Sequence, residues 1–387
     1  MKTPPSRVHG LDTLRSAAIV SVILFHVLGY GSDNDLPSWL QPIAQFGWMG
    51  VDLFFVLSGY LIGSQLLRPY LRGEKPSLWS FYRNRMYRIL PAYLVVLVLY
   101  EFVPGWKEFA GLAPVWAFLT FTLNFVIGHY DAHAFSHAWS LCVEEHFYLL
   151  LPLIVLAMMR RPSARKTAIV FAGFVFAGIA IRSFILFHSL RPMAEAGQWP
   201  SGHYLTLIYY ATYSHFDGLL VGVGLAVIKT FRPAWWAVLA RRGHLQMLAG
   251  LGLIVACPPL FAERYVSASG VTAVGDVIGF PVLSLGLGLL VASAMSENGL
   301  LSRIRVPGAK LVATLAYSLY LTQKEMIHLV SEWFPALDKR GGLPWLAVYV
   351  VCCMAVAGAL YLCVERPFLK LRDRRRSPQE IEKAAAV

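Results

Sequence analysis

Long apolar runs separated by short polar breaks set the pattern of this chain. Runs at roughly 12 to 30, 47 to 67, 89 to 104, 139 to 159, 167 to 188, 205 to 228, 244 to 261, 274 to 295, 311 to 330 and 344 to 363 reach or approach the ~20 residues that an α-helix needs to cross a hydrocarbon layer. The pattern predicts an all-α, polytopic integral membrane bundle of about ten spans. Lys and Arg supply the orientation. Arg68, Arg72, Lys75, Arg83, Arg85 and Arg88 follow the second run, whereas GSDNDLPSWLQP before it carries neither. Cytoplasmic loops collect positive charge, so the first loop is expected outside and the second inside. Counting back from the basic tail LKLRDRRR puts Arg303 to Lys310, Lys229 to Arg242 and Arg160 to Lys166 on the cytoplasmic side as well. The two counts meet only if the apolar piece at 113 to 128 does not cross, which predicts a re-entrant or interfacial segment and two cytoplasmic termini.

Composition sharpens this picture. Hydrophobic residues make up 57% of the chain and charged residues 14%, with a mean hydropathy of +0.56, a balance foreign to soluble domains. The formal charge of +12 is accounted for by basic loops, so no nucleic-acid partner is expected; membrane lipids are. The five cysteines, Cys142, Cys257, Cys352, Cys353 and Cys363, lie in or beside apolar runs without metal-ligand spacing, which argues against a disulfide framework and against a metal site. No small-residue cleavage site follows the first run and Arg15 interrupts it, so this span is expected to be retained rather than removed as a signal peptide.

The polar residues inside the apolar runs carry the chemistry. Intramembrane ionisable groups are costly and point to function or to a buried partner. Arg15 and His26 share the first run with ten residues between them, about 16 Å along a helix axis. GVDLFFVLSGYLIG adds Asp52 and Ser58, FYRNRMYRILPAY adds Arg85 and Arg88 one turn apart, and HAWSLCVEEHFYLLLP adds His137, Glu144 and Glu145. Arg182 and Asp217 fall near mid-membrane on consecutive spans, and the C-terminal half brings HFDGLLVG, YSLYL with Tyr317, then Lys324, and VERPF.

This ordered set resembles acyltransferase family 3, integral membrane O-acyltransferases of the O-acetyltransferase type that modify cell-surface carbohydrates. The resemblance runs from about Leu11 to Phe368, with residues 1–371 expected as the transmembrane domain and 372–387 as a basic cytoplasmic tail. It implies an O-acyltransferase in the cytoplasmic membrane that uses an acyl-CoA donor, acetyl-CoA above all, and a carbohydrate acceptor. One position departs from the family pattern: where a histidine commonly follows YSLYL plus one residue, this chain has Gln323, so the role of that histidine is open here.

The layout agrees with such a reaction. With the N-terminus inside, Arg15 lies at the cytoplasmic end of its span, near Arg85 and Arg88, and arginine forks suit the phosphates of an acyl-CoA. His26 falls near the outer end, at a depth expected to match Glu144 and Glu145. The expected mechanism has His26 as general base on the acceptor hydroxyl, assisted by Glu144 or Glu145, with an acyl-histidine as the alternative. Plainer readings stay open: the arginines as headgroup anchors, His26 as a core histidine, one of the two glutamates as a solvated residue, Arg182 with Asp217 as a structural pair, and Asp52, Ser58, His137, Tyr317 and Lys324 as packing or substrate-path residues. The rival class is a secondary transporter or flippase of a polar or lipid-linked sugar. It calls for matching Gly or Pro interruptions in two inverted halves, and no such symmetry is visible.

Overall fold

The computed structural model describes residues 9–30, 36–129, 133–198, 201–261 and 274–374. The part of the basic tail beyond residue 374 lies outside them. The main helices are α1 (His9–Tyr30), α2 (Met49–Leu67), α3 (Leu78–Phe102), α4 (Trp139–Met159), α5 (Ala164–Ile185), α6 (Asp217–Phe231), α7 (Pro233–Arg241), α8 (Gly243–Leu260), α9 (Phe280–Ala294), α10 (Ala309–Trp333), α11 (Gly342–Leu360) and α12 (Arg366–Arg374). Among the described residues seven helical segments are long and apolar enough to cross a membrane, or eight if the bent pair α6 and α7 counts as one. The remaining difference from ten comes chiefly from α3 and α10, each 25 residues long but more highly charged. Phe176 is 69% exposed and Val255 72%, the outward-facing apolar side chains of helices that meet lipid.

Two compact units partition the chain: Met1–Val51 with Lys75–Leu112 and Arg305–Val387, and Asp52–Glu74 with Ala113–Ile304. In the first, α1 packs along α10 and α10 along α11. Ser16 Oγ donates to the Ala309 carbonyl at 2.6 Å, tying the start of α1 to the start of α10. The glycines of GWMG permit close approach to α1, since a Cβ at Gly47 or Gly50 would run into the backbone carbonyl of Ser21 or Ala18. Helix α3 begins earlier than its apolar run because Ser77 caps it, its hydroxyl accepting from the Ser80 amide at 3.2 Å. Arg83, Arg85 and Arg88 therefore stand on a helix and not in the cytoplasmic loop expected for them.

In the second unit, α2 crosses α6 at glycines: a Cβ on Gly59 would strike the Leu219 carbonyl, and one on Gly222 the Val56 carbonyl and the Tyr60 amide. Helices α8 and α9 form another close pair, meeting at Gly250 and Gly286. The segment at 113 to 128 folds as short pieces, Val115–Leu119 and Leu123–Val126, too short to cross. The run at 205 to 228 is not one helix either: a π-helical turn at Leu205–Tyr209 and a 3-10 turn at Thr212–Ser214 precede α6. A helix broken at membrane depth strands backbone carbonyls, and side chains supply the missing donors. The Asn124 amide donates to the Tyr210 carbonyl at 3.1 Å and to Thr212 Oγ1 at 2.7 Å. Arg182 donates to the Ser214 carbonyl.

Candidate active site

The polar residues singled out by the sequence fall into two groups, one in each unit. In the first unit, α1 presents His26 half-buried toward α10, where Gln323 Nε2 lies 2.5 Å from His26 Nδ1. The Tyr30 ring stands one turn further along α1, 5.6 Å from the imidazole. Lys324 follows Gln323 and is 1% exposed. A buried ammonium needs a counter-charge, and it has one: Lys324 Nζ lies 3.1 Å from Glu108 Oε1, with the Tyr30 ring centroid at 4.1 Å and the Phe109 ring at 5.2 Å. Glu325, 0% exposed, has Glu108, Tyr100 and Lys324 among its neighbours. Position 324 thus belongs to a buried ion pair beside the imidazole.

Arg88 Nη1 pairs with Glu365 Oε1 at 2.5 Å. Glu365 belongs to the ERPF motif and sits in a π-helical turn, Tyr361–Glu365, that links α11 to α12. Its second oxygen accepts from Ser318 at 2.9 Å. Pro367 has no N–H to give the turn before it, which favours such a bulge there. Tyr317 donates to the Ile89 carbonyl at 2.8 Å and has the Arg88 guanidinium carbon 5.9 Å from its ring. Arg15 is half-buried with Asp12 at 3.9 Å, and Arg85 is half-buried on the same helix as Arg88.

In the second unit, Glu144 accepts from Ser58 at 2.8 Å through one oxygen and from Tyr148 at 2.8 Å through the other, and the two hydroxyls lie 3.0 Å apart. Both Glu144 and Glu145 are half-buried. Asp52 lies 3.0 Å from His215 Nε2, both groups buried among the rings of Phe55, Trp139 and Phe280. Arg182 Nη1 lies 2.6 Å from Asp217 Oδ2. His137 is buried edge-on to Phe135, with ring centroids 5.2 Å apart. His146, one position beyond the glutamates, shares Thr212 with Asn124 at 2.8 Å.

Sequence reasoning passed over Glu108, Glu365 as a partner, His146 and His215. Glu108 lies between apolar runs and reads as an ordinary loop carboxylate. His215 precedes Asp217 in HFDG, where a second ionisable group two residues from an intramembrane Asp was a usable signal. Among the described residues no cluster of three or more His, Cys, Asp or Glu side chains is placed to hold a metal ion.

A helical membrane bundle with an arginine toward one end of α1 and an imidazole near the other fits the class of integral membrane acyltransferases. The sequence profile of the acyltransferase domain matches residues 8–364, and the chain belongs to that family. The O-acetyltransferase OatA of Staphylococcus aureus strain NCTC 8325 / PS 47 is 26% identical over 389 residues, covering 95% of this chain and 58% of the relative. OatA of strain MRSA252 gives the same figures. The chain therefore spans less than two thirds of the length of these curated relatives. No solved structure matches it.

Proposed function

We propose that this protein transfers an acyl group, acetyl in the first instance, from cytoplasmic acyl-CoA to a hydroxyl of an extracytoplasmic carbohydrate. The observation that carries the reading is the family match over residues 8–364 together with relatives named O-acetyltransferases. The layout of α1 supports the route. Arg15 and His26 stand about 16 Å apart on one continuous helix, so a slender thioester arm held by its phosphates at the arginine end reaches the imidazole. Arg88 keeps one edge on Glu365 while its side chain is 36% exposed, and a guanidinium has five N–H donors to share. Arg15 and Arg85 complete the proposed phosphate site.

His26 is the proposed base. The acceptor hydroxyl oxygen attacks the thioester carbonyl carbon as the imidazole takes its proton. The C–S bond then breaks and the imidazolium returns that proton to the departing thiolate, so no net proton is consumed. Glu144 and Glu145 are proposed to take part in transfer on the strength of their residue match. Localisation in the cytoplasmic membrane with both termini inside rests on the Lys and Arg pattern.

The test is thiol release from acetyl-CoA by the purified protein in lipid nanodiscs, with and without a pool of cell-envelope glycans, and mass analysis of the glycans for the added ester. Glycan-dependent thiol release with a matching mass gain supports the proposal. Glycan uptake by proteoliposomes with no thiol release would overturn it in favour of a transporter.

A further inference from the structure

Gln323 is held more firmly than an ordinary buried amide. Its side chain is 0% exposed, its backbone carbonyl accepts from the Tyr349 hydroxyl at 3.0 Å, and the next residue is locked to Glu108. The turn of α10 that faces His26 is therefore fixed from two sides. The side-chain oxygen Oε1 is buried and has no hydrogen-bond partner among the described residues.

A primary amide keeps its shape when turned by half a revolution, so its contact with an imidazole has two self-consistent arrangements. With the NH2 toward the ring, Gln323 donates to Nδ1, the ring proton sits on Nε2, and Oε1 remains a buried acceptor without a donor. With Oε1 toward the ring, Nδ1–H donates to it and Nε2 carries the lone pair. The amide NH2 then takes the place of the orphaned oxygen. Which nitrogen of a histidine reacts is set by the hydrogen bond that the other one makes. Only the second arrangement leaves a nitrogen able to accept a proton without breaking the contact with Gln323.

We propose that Gln323 is a positioning residue that accepts the Nδ1–H of His26 through Oε1, fixes the ring as the Nδ1–H tautomer and reserves Nε2 for the acceptor hydroxyl's proton. The inference rests on the reading of His26 as the base. In the transfer step the hydroxyl proton passes to Nε2 while Nδ1–H stays on Gln323, and Nε2 then gives that proton to the thiolate sulfur. A neutral amide suits the place: beside the buried Lys324 ammonium it orients the ring without adding a third carboxylate to Glu108 and Glu325.

Two variants and one spectrum test this in nanodiscs. Gln323→Glu keeps an acceptor for Nδ1–H, whereas Gln323→Met keeps the length and loses it. The Met variant should lose about tenfold or more in kcat, up to the 10²–10⁴-fold worth of the base itself, with the KM for acetyl-CoA held within about twofold. The Glu variant should keep kcat within about threefold of the parent. Nitrogen NMR of histidine-labelled protein, with His26 assigned by its Ala variant, should show the proton on Nδ1 in the parent and a mixture of tautomers in Gln323→Met. A proton on Nε2 in the parent, or a Met variant with parental kcat, overturns the proposal. If the Met variant fails to insert, the parent's tautomer and the Glu variant still decide. The spectrum needs no turnover, so near-normal transfer by His26→Gln would refute the base reading separately from the tautomer assignment.

Discussion

Arg182 offers the sharpest test of how the second unit is held together. Its side chain is 0% exposed and bonds to three places at once: Asp217 at 2.6 Å, the Ser214 carbonyl in the break before α6, and the Val277 carbonyl at 3.3 Å in the π-helical turn before α9. Arg182→Met keeps much of the length and removes the charge. It leaves Asp217 buried without its cation and two carbonyls without a donor. Removing one member of a buried pair costs about 3–5 kcal/mol. At roughly 2–4 °C per kcal/mol for a body of 150–250 residues, the apparent unfolding midpoint should fall by about 6–20 °C. Tryptophan fluorescence in detergent at one fixed scan rate measures this. Asp217→Asn should cost less, because Arg182 keeps both carbonyls. The double variant should lose less than the sum of the singles, with a coupling of about 0.5–3 kcal/mol. A midpoint for Arg182→Met within about 2 °C of the parent, below the shift that 1 kcal/mol produces, or strictly additive losses, would refute the staple and leave Arg182 as a candidate for substrate contact.

Other expectations follow from the first unit and from the glycine crossing. His26→Gln should lower glycan acetylation by about 10² to 10⁴ fold while acetyl-CoA binding by calorimetry stays near the parent value, and retained transfer would make the histidine structural. Arg85→Ala should weaken acetyl-CoA binding about 10- to 150-fold, the worth of one charge-assisted contact of ~1.5–3 kcal/mol; unchanged affinity would return Arg85 to a headgroup anchor. Parental affinity should also fall with added salt, because exposed charge pairs are screened. Gly222→Ala pushes a Cβ into the Val56 carbonyl and the Tyr60 amide, so α2 and α6 must separate; a loss of about 1–3 kcal/mol in detergent stability is expected, and an unchanged midpoint would mean that the crossing yields freely.

Helices were legible wherever apolar composition alone decides the element. The runs at 12 to 30, 139 to 159 and 244 to 261 coincide closely with α1, α4 and α8. Where the chain breaks inside an apolar stretch the sequence misleads, because the cause lies elsewhere in the chain. Nothing in LTLIYYATYSHFDG forbids a continuous helix. It is broken in a structure where Asn124 and Arg182, far away in sequence, meet the stranded carbonyls at Tyr210 and Ser214. Helix α3 shows the opposite error. FYRNRMYR looks like a basic loop by charge, yet a serine cap and the good helix propensity of arginine and methionine carry the helix through it.

The same division applies to the candidate site. Residues on one helix could be related by counting, which is how Arg15 and His26 were set about 16 Å apart. Across helices, Arg182 and Asp217 were offered as a pair and do lie 2.6 Å apart, but other partners were not foreseen. Arg88 invited a phosphate reading from its type and its side of the membrane, but its nearest charge is Glu365, 277 residues away. That pairing changes what an Arg88 variant reports. Alanine would remove a proposed phosphate contact and also leave Glu365 buried with, among the described residues, only Ser318 to bond it, so a loss of donor affinity would mix binding with local collapse around the π-helical turn. Lysine keeps the charge beside Glu365 and loses the fork. The difference between the two variants, more than either alone, separates an arginine that holds the donor from one that holds α12 onto α3.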